Sequence, residues 1–152
     1  MKLSNKGRYA VRALFDIAFY NQGRPTQVRD IAERQAIPPR FLEQIFQDLK
    51  KAQIVGSKRG PQGGYSLLTS PESVRLGDVI RAVEGPITLG GEKAGTPRQR
   101  KHDSVRVTEA VFQDLATQIE GCFNSITLAD LCAKAHKLGV SPGRPGRYAY
   151  VI

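Results

Sequence analysis

Soft metal donors are scarce in this 152-residue chain: it has two cysteines, Cys122 and Cys132, ten positions apart, and two histidines, His102 and His136. No Cys-x-x-Cys pair exists, so a four-ligand zinc or iron–sulfur site would need almost all of these side chains together. Free thiols in a reducing compartment are the expected state. No apolar run reaches the roughly 18 residues of a membrane span. The basic start "MKLSNKGRYAV" is not followed by the apolar stretch and small-residue cleavage site of a secretory signal. A cytoplasmic location is the expectation. Nucleotide-binding loops are missing as well, both Gly-x4-Gly-Lys-Ser/Thr and Gly-x-Gly-x-x-Gly. With no Ser–His–Asp, Cys–His or paired-carboxylate arrangement placed for chemistry, no catalytic residue is assigned and an enzyme is not expected.

Acid is also scarce where base is plentiful. Residues 1–64 carry 12 Lys/Arg against 5 Asp/Glu, or +7, while the remaining 88 residues carry 11 against 9, or +2. Basic charge concentrated in one half is the footprint of a polyanionic partner, although a solvated basic face would have the same composition. The length suits one domain, or one domain with an appendage.

The pattern along the chain is mainly helical. "SNKGRYAVRALFDIAFYNQG" reads as a first helix, with Ser4 as N-cap, Gly23 beyond its end, and Val11, Leu14, Ile17 and Ala18 inward. Lys6, Arg8 and Arg12 crowd its first half, where the helix dipole disfavours cations and an external anion would be welcome. In "TQVRDIAERQA", Thr26 is placed to cap a short second helix with Val28, Ile31 and Ala32 inward. Pro38 and Pro39 open a third, whose apolar stripe is Leu42, Ile45, Phe46 and Leu49. Two short helices with a tight connection, the second polar on its outer face, form the helix-turn-helix pattern. That outer face carries Arg40, Phe41, Glu43, Gln44, Gln47 and Lys51. A carboxylate such as Glu43 can accept from cytosine N4, Gln44 can pair with adenine, Arg40 can take a phosphate or a guanine, and Phe41 can meet a thymine methyl.

Two short strands follow, "IVGSK" and "YSLL", flanking "RGPQGGY". As a wing, this loop would offer Arg59 to a minor groove. Gln62 lies at its tip, and Gly60, Gly63 and Gly64 would let backbone approach the sugar–phosphate chain. Glycines adopting positive φ in an ordinary hairpin would give the same letters. "LGDVIRAVEGP" makes a fourth helix with Val79, Ile80 and Val83 inward. The expected organisation is a winged helix-turn-helix domain over 1–84 and a flexible basic loop over 85–104. A dimerisation helix with a short C-terminal helix follows over 105–139, then a flexible tail over 140–152. In the long helix, Val111, Leu115, Ile119 and Cys122 form one stripe, widened by Phe112 and Phe123. So wide an apolar face asks for a partner, most simply the same helix of a second chain, or for its own domain. Thr127 is the expected cap of the last helix, "LADLCAKAHKL".

The segments "LSNKGRYAVRALFDIA", "DIAERQAIPPRFLEQIFQDLKKAQIVGSKRGPQGGYSL", "LGDVIRAVEGP" and "FNSITLADL" strongly resemble the Rrf2 family of bacterial winged-helix transcription regulators. The resemblance covers residues 1–89 and about 105–132. It implies a homodimer with two winged-helix heads, the long helix crossing to the partner, and the expectation is a DNA-binding repressor that reads a pseudo-palindromic operator. It also implies groove-reading roles for Arg40, Phe41, Glu43 and Gln44 and a minor-groove role for Arg59; Lys6 and Arg8, from the cation-rich start of the first helix, are further candidates for DNA contact. Family members that carry an iron–sulfur cluster place three cysteines before the long helix, with a fourth ligand at its start. The loop here, "GGEKAGTPRQRKHDSVRV", has none, and Glu109 alone stands near the fourth place. No cluster, and no other cofactor, is therefore expected. The family's cysteine-metabolism repressor also lacks those cysteines, ends in an apolar aromatic tail, and complexes with cysteine synthase. The ending "YAYVI" resembles that tail, which makes Tyr150, Val151 and Ile152 candidates for docking into such an enzyme. Sulfur metabolism is the implied pathway; the other alternative is a redox or metal sensor using Cys122 and Cys132.

Overall fold

The computed structural model describes residues 2–89 and 103–143. Among them are six helices and one hairpin: α1 (Asn5–Asn21), α2 (Val28–Gln35), α3 (Pro39–Lys51), β1 (Val55–Lys58), β2 (Gly64–Leu67), α4 (Leu76–Glu84), α5 (Asp103–Asn124) and α6 (Leu128–Lys137). This is the expected winged-helix architecture, mainly α with a two-stranded wing. The strands run antiparallel, with Val55 opposite Leu67 and Lys58 opposite Gly64.

Helix α1 is the spine of the core. Its Ala10, Ala13, Leu14 and Ile17 have no exposed surface, and it packs against α2, α3, α4 and α6. Ser4 caps it, as expected, by accepting the Gly7 amide at 3.2 Å. Its N-terminus also receives an anion from within the protein. Glu84, the last residue of α4, accepts the amides of Ser4 and Gly7 at 3.2 and 3.0 Å, together with the Ser4 hydroxyl. A Cβ on Gly7 would lie 2.3 Å from the Glu84 carboxylate, so a larger residue there would displace that side chain from the amides it accepts.

The apolar stripe of α3 is buried as the periodicity predicts, with Leu42, Ile45, Phe46 and Leu49 all at zero exposure. Pro38 is its N-cap and Pro39 its first residue. The cap expected at Thr26 is overturned. Gln27 is the N-cap of α2 and makes no side-chain capping bond. Thr26 instead pairs its backbone with Tyr65 through two 2.9 Å bonds. Its hydroxyl turns inward, donating to the Arg24 carbonyl and accepting from the Asn21 amide, each at 3.0 Å. The wing is thus held along both edges of β2.

The far end of the chain returns to this core. Thr127 forms a reciprocal capping box with Asp130 at the start of α6. Around it, Leu128 donates to Val74 at 3.0 Å and Leu76 donates to Ile126 at 2.9 Å, a short antiparallel bridge between Arg75 and Thr127. Leu128 is fully buried in the same core as α1 and α3. Helix α5 divides along its length. Ala116 is buried, Ile119 and Phe123 are half-buried, and Arg81 of α4 ion-pairs with Glu120. Towards its start, Val107, Val111, Phe112 and Leu115 are exposed.

Candidate nucleic-acid interface

Because α3 buries one complete stripe, its rotation about its own axis is set, and Arg40, Phe41, Glu43 and Gln44 all face solvent on the opposite side. Phe41 is 45% exposed, unusual for a phenyl ring with a core beside it. Polar and aromatic neighbours hold it in place. Tyr9 of α1 meets it edge-on, with centroids 6.2 Å apart, and the Arg40 guanidinium lies 5.4 Å from its ring centre. The Arg12 guanidinium lies 5.5 Å from the Tyr9 ring centre and bonds the Gln35 carbonyl that ends α2. Cations and rings therefore alternate across the α1–α3 surface, an arrangement that places positive charge beside an apolar contact surface.

The wing is seated against the same helix. Tyr65 stacks on Phe46 with centroids 4.3 Å apart and planes 8° from parallel. Lys50 donates to Ser57 at 2.7 Å, and the Gln27 side chain donates to the Pro61 carbonyl in the wing tip at 2.9 Å. Arg59 is exposed and has no ion pair among the described residues; Gly60 and Gln62 are exposed beside it.

The glycines of the wing divide by role. Gly60 has φ +107° and open space where a Cβ would be. Gly63 and Gly64 answer to the hairpin itself. A Cβ on Gly63 would lie 2.1 Å from the Lys58 carbonyl, and one on Gly64, at φ +129°, would lie 2.2 Å from that of Thr26. The Gly63 amide donates to Gly60 at 2.9 Å within the turn. Each of the three glycines thus has a reason within the hairpin, Gly60 in its positive φ and Gly63 and Gly64 in the carbonyls beside them, and Gly60 alone also has open space at its Cβ position.

Lys6 and Arg8 also separate. Arg8 is exposed. Lys6, with its side chain 36% exposed, reaches back to α3 and pairs with Asp48 at 2.6 Å, so one of its ammonium hydrogens is engaged within the protein. Lys6 holds the Asp48 carboxyl below the usual carboxylate range, chiefly by this hydrogen bond. Asp48, Tyr9, Asp16 and Glu84 were not singled out by sequence reasoning. A signal existed for Asp16, a carboxylate set between Leu14 and Ile17 on the buried stripe. It has zero exposure and accepts from Arg34 at 2.6, 2.9 and 3.2 Å and from Gln35 at 2.9 Å. That cluster joins α1 to the end of α2, the first helix of the helix-turn-helix.

The donor set does not fit an iron–sulfur cluster. The chain's two cysteines lie in α5 and α6, and the segment before α5 has none. Cys122 is exposed and Cys132 half-buried. Burial, with a smaller contribution from Glu72, pushes the Cys132 thiol up, away from the thiolate form that binds metal or reacts with oxidants. Among the described residues no three His, Cys, Asp or Glu side chains group as a metal site. Glu109 lies in α5, exposed. Tyr150, Val151 and Ile152 lie outside the described residues.

Residues 3–134 match the family described as "Rrf2: Iron-dependent Transcriptional regulator". The HTH-type transcriptional regulator IscR of Vibrio parahaemolyticus is 39% identical over 145 residues, covering 93% of this chain and 83% of that protein. Among solved structures, IscR of T. potens superposes with a TM-score of 0.72 at 36% identity, covering 93% of both chains. CymR, described as the global cysteine regulator of B. subtilis, gives 0.68 at 29% identity, covering 88% of this chain and 98% of that one.

Proposed function

This chain belongs to the Rrf2 family of winged-helix, DNA-binding transcription regulators, and on that footing we propose that it acts as a homodimeric repressor without an iron–sulfur cluster. The observation that carries the reading is the joint presentation of α3 and the wing. Arg40, Phe41, Glu43 and Gln44 face solvent on a rotationally fixed helix, and exposed Arg59 projects from a hairpin pinned to that helix and to α2. In this reading α3 enters the major groove and Arg59 the adjacent minor groove, with Gly60 giving close approach to the backbone.

Dimerisation follows from α5. Val107, Val111 and Leu115 recur every four residues on its exposed part, with Phe112 beside them. A second copy of the helix covers such a stripe with one isologous contact. Two heads joined in this way read a pseudo-palindrome whose half-sites lie about 10 bp, or a small multiple, apart.

The test is titration of the full chain against DNA footprinted upstream of its own gene. Affinity should fall linearly with salt on logarithmic axes, as phosphate contacts require, and Arg59→Ala should lower it by about tenfold or more. Val111→Asp with Leu115→Asp should give monomers in sedimentation and abolish operator binding. A flat salt dependence would sink the DNA reading.

A role in sulfur metabolism is a second proposal, supported by the likeness to CymR and by the cysteine-free segment before α5. It extends to docking of Tyr150, Val151 and Ile152 into cysteine synthase. Retention of that enzyme on the immobilised chain, lost when Val151 and Ile152 are deleted, is the expected result.

A further inference from the structure

Asp48 stands one turn after Gln44 on α3, on the edge that faces α1, and its two carboxylate oxygens serve different partners. Oδ2 accepts from Lys6 Nζ at 2.6 Å, and Oδ1 accepts from Gln44 Nε2 at 3.4 Å. An ionised carboxylate has no hydrogen to donate, so it can face only the amino edge of the Gln44 amide. The carbonyl edge is thereby left for whatever lies against α3. Lys6, anchored on α1, holds Oδ2 and draws the carboxyl below its usual range, leaving Oδ1 for Gln44.

We infer that the Lys6–Asp48 pair positions Gln44 so that its Oε1 leads into the major groove, which directs that residue to a base offering a hydrogen-bond donor there. This rests on the DNA-binding reading above, in which Gln44 already suits adenine, and adds what that reading leaves open, which edge of the amide leads and what holds it there. Adenine N6 and cytosine N4 offer donors; guanine presents O6 and N7, and thymine O4, all acceptors. Adenine fits best. The second hydrogen of Gln44 Nε2 is not needed by Asp48 and can reach adenine N7 while Oε1 accepts from N6. Asp48 is thus a positioning residue that shapes base preference without touching DNA.

The test is selection of binding sites from a duplex pool randomised across the half-site, using the full chain and three variants. Gln44→Ala identifies the base pair concerned by erasing preference there. At that position the unaltered protein should select adenine first and cytosine second. Asp48→Asn can donate to Gln44 Oε1 and turn the amide around, so guanine and thymine should gain about tenfold against adenine. Asp48→Ala, which removes the acceptor without adding a donor, should widen the preference and covers the case in which the Asn variant folds poorly. Preferences elsewhere in the half-site and the salt slope should stay as they were, which a general loss of structure would not allow. The inference is overturned if Gln44→Ala changes no position, if the unaltered protein selects guanine or thymine there, or if both Asp48 variants keep the original preference. Loss of steep salt dependence in the unaltered protein would instead strike at the DNA reading itself.

Discussion

Two carboxylates in this molecule are built into nearly the same chemical grouping, and their surroundings give them different work. Asp16 on α1 collects the Arg34 guanidinium and the Gln35 amide of α2; Asp48 on α3 collects the Lys6 ammonium of α1 and the Gln44 amide of its own helix. Asp16 has no exposed surface, and its amide partner is turned towards it at 2.9 Å. The Asp48 side chain is 17% exposed and its lysine 36%, and its amide bond is long. In the dry site the amide is drawn inward to the carboxylate and helps to join two helices. In the wet site an amide is held loosely enough to be offered outward. Burial, more than residue type, separates a structural joint from a presented group.

That contrast can be broken at its dry end first. Asp16→Ala removes the acceptor on which Arg34 and Gln35 converge and should lower unfolding free energy by about 3–5 kcal/mol in denaturant titration. Arg34→Lys keeps the charge but loses the forked geometry, and the same measurement should show a loss of about 1–3 kcal/mol. Asp48→Ala, chemically the counterpart of the first change, should cost no more than about 1 kcal/mol, as for a partly exposed pair.

The smallest effect is one of pH. Asp48 has a depressed folded value, so its ion pair stabilises the fold above the usual carboxylate pKa of about 3.9 and loses that contribution as pH falls through the lower folded value. Unfolding curves of the parent and of Lys6→Met should therefore differ by at most about 1 kcal/mol near neutrality. They should converge in acid.

Much of the frame was legible in the sequence because periodic burial writes itself into periodic letters. The stripe Leu42, Ile45, Phe46 and Leu49 sits in the core as its spacing predicts, and Ser4 and Thr127 cap their helices as their chemistry suggests. What stayed hidden joins positions far apart in the chain. Glu84 satisfies amides at the start of α1 from 77 and 80 residues away, and Lys6 meets Asp48 across 42. Local spacing has no means of announcing such pairs. Thr26 shows the same limit from the other side. A residue well suited to cap α2 was claimed by a backbone pairing with β2 that becomes available only once the wing has folded back. The glycines of "RGPQGG" were legible as a turn, but two of them answer to carbonyls of Lys58 and Thr26, which only the assembled hairpin brings close.

The bridge between Arg75 and Thr127 has a mechanical consequence. It stitches the turn after α5 into the segment that launches α4, and Arg81 grips Glu120 a turn further along. The C-terminal end of the long helix is therefore tied on both sides of residues 125–127 to the body that carries α3. In a dimer joined along α5, the spacing of the two reading heads would be a property of the seam between the two long helices. A signal that alters operator fit would have to slide or tilt that seam, and a change confined to one head would leave the ruler unaltered.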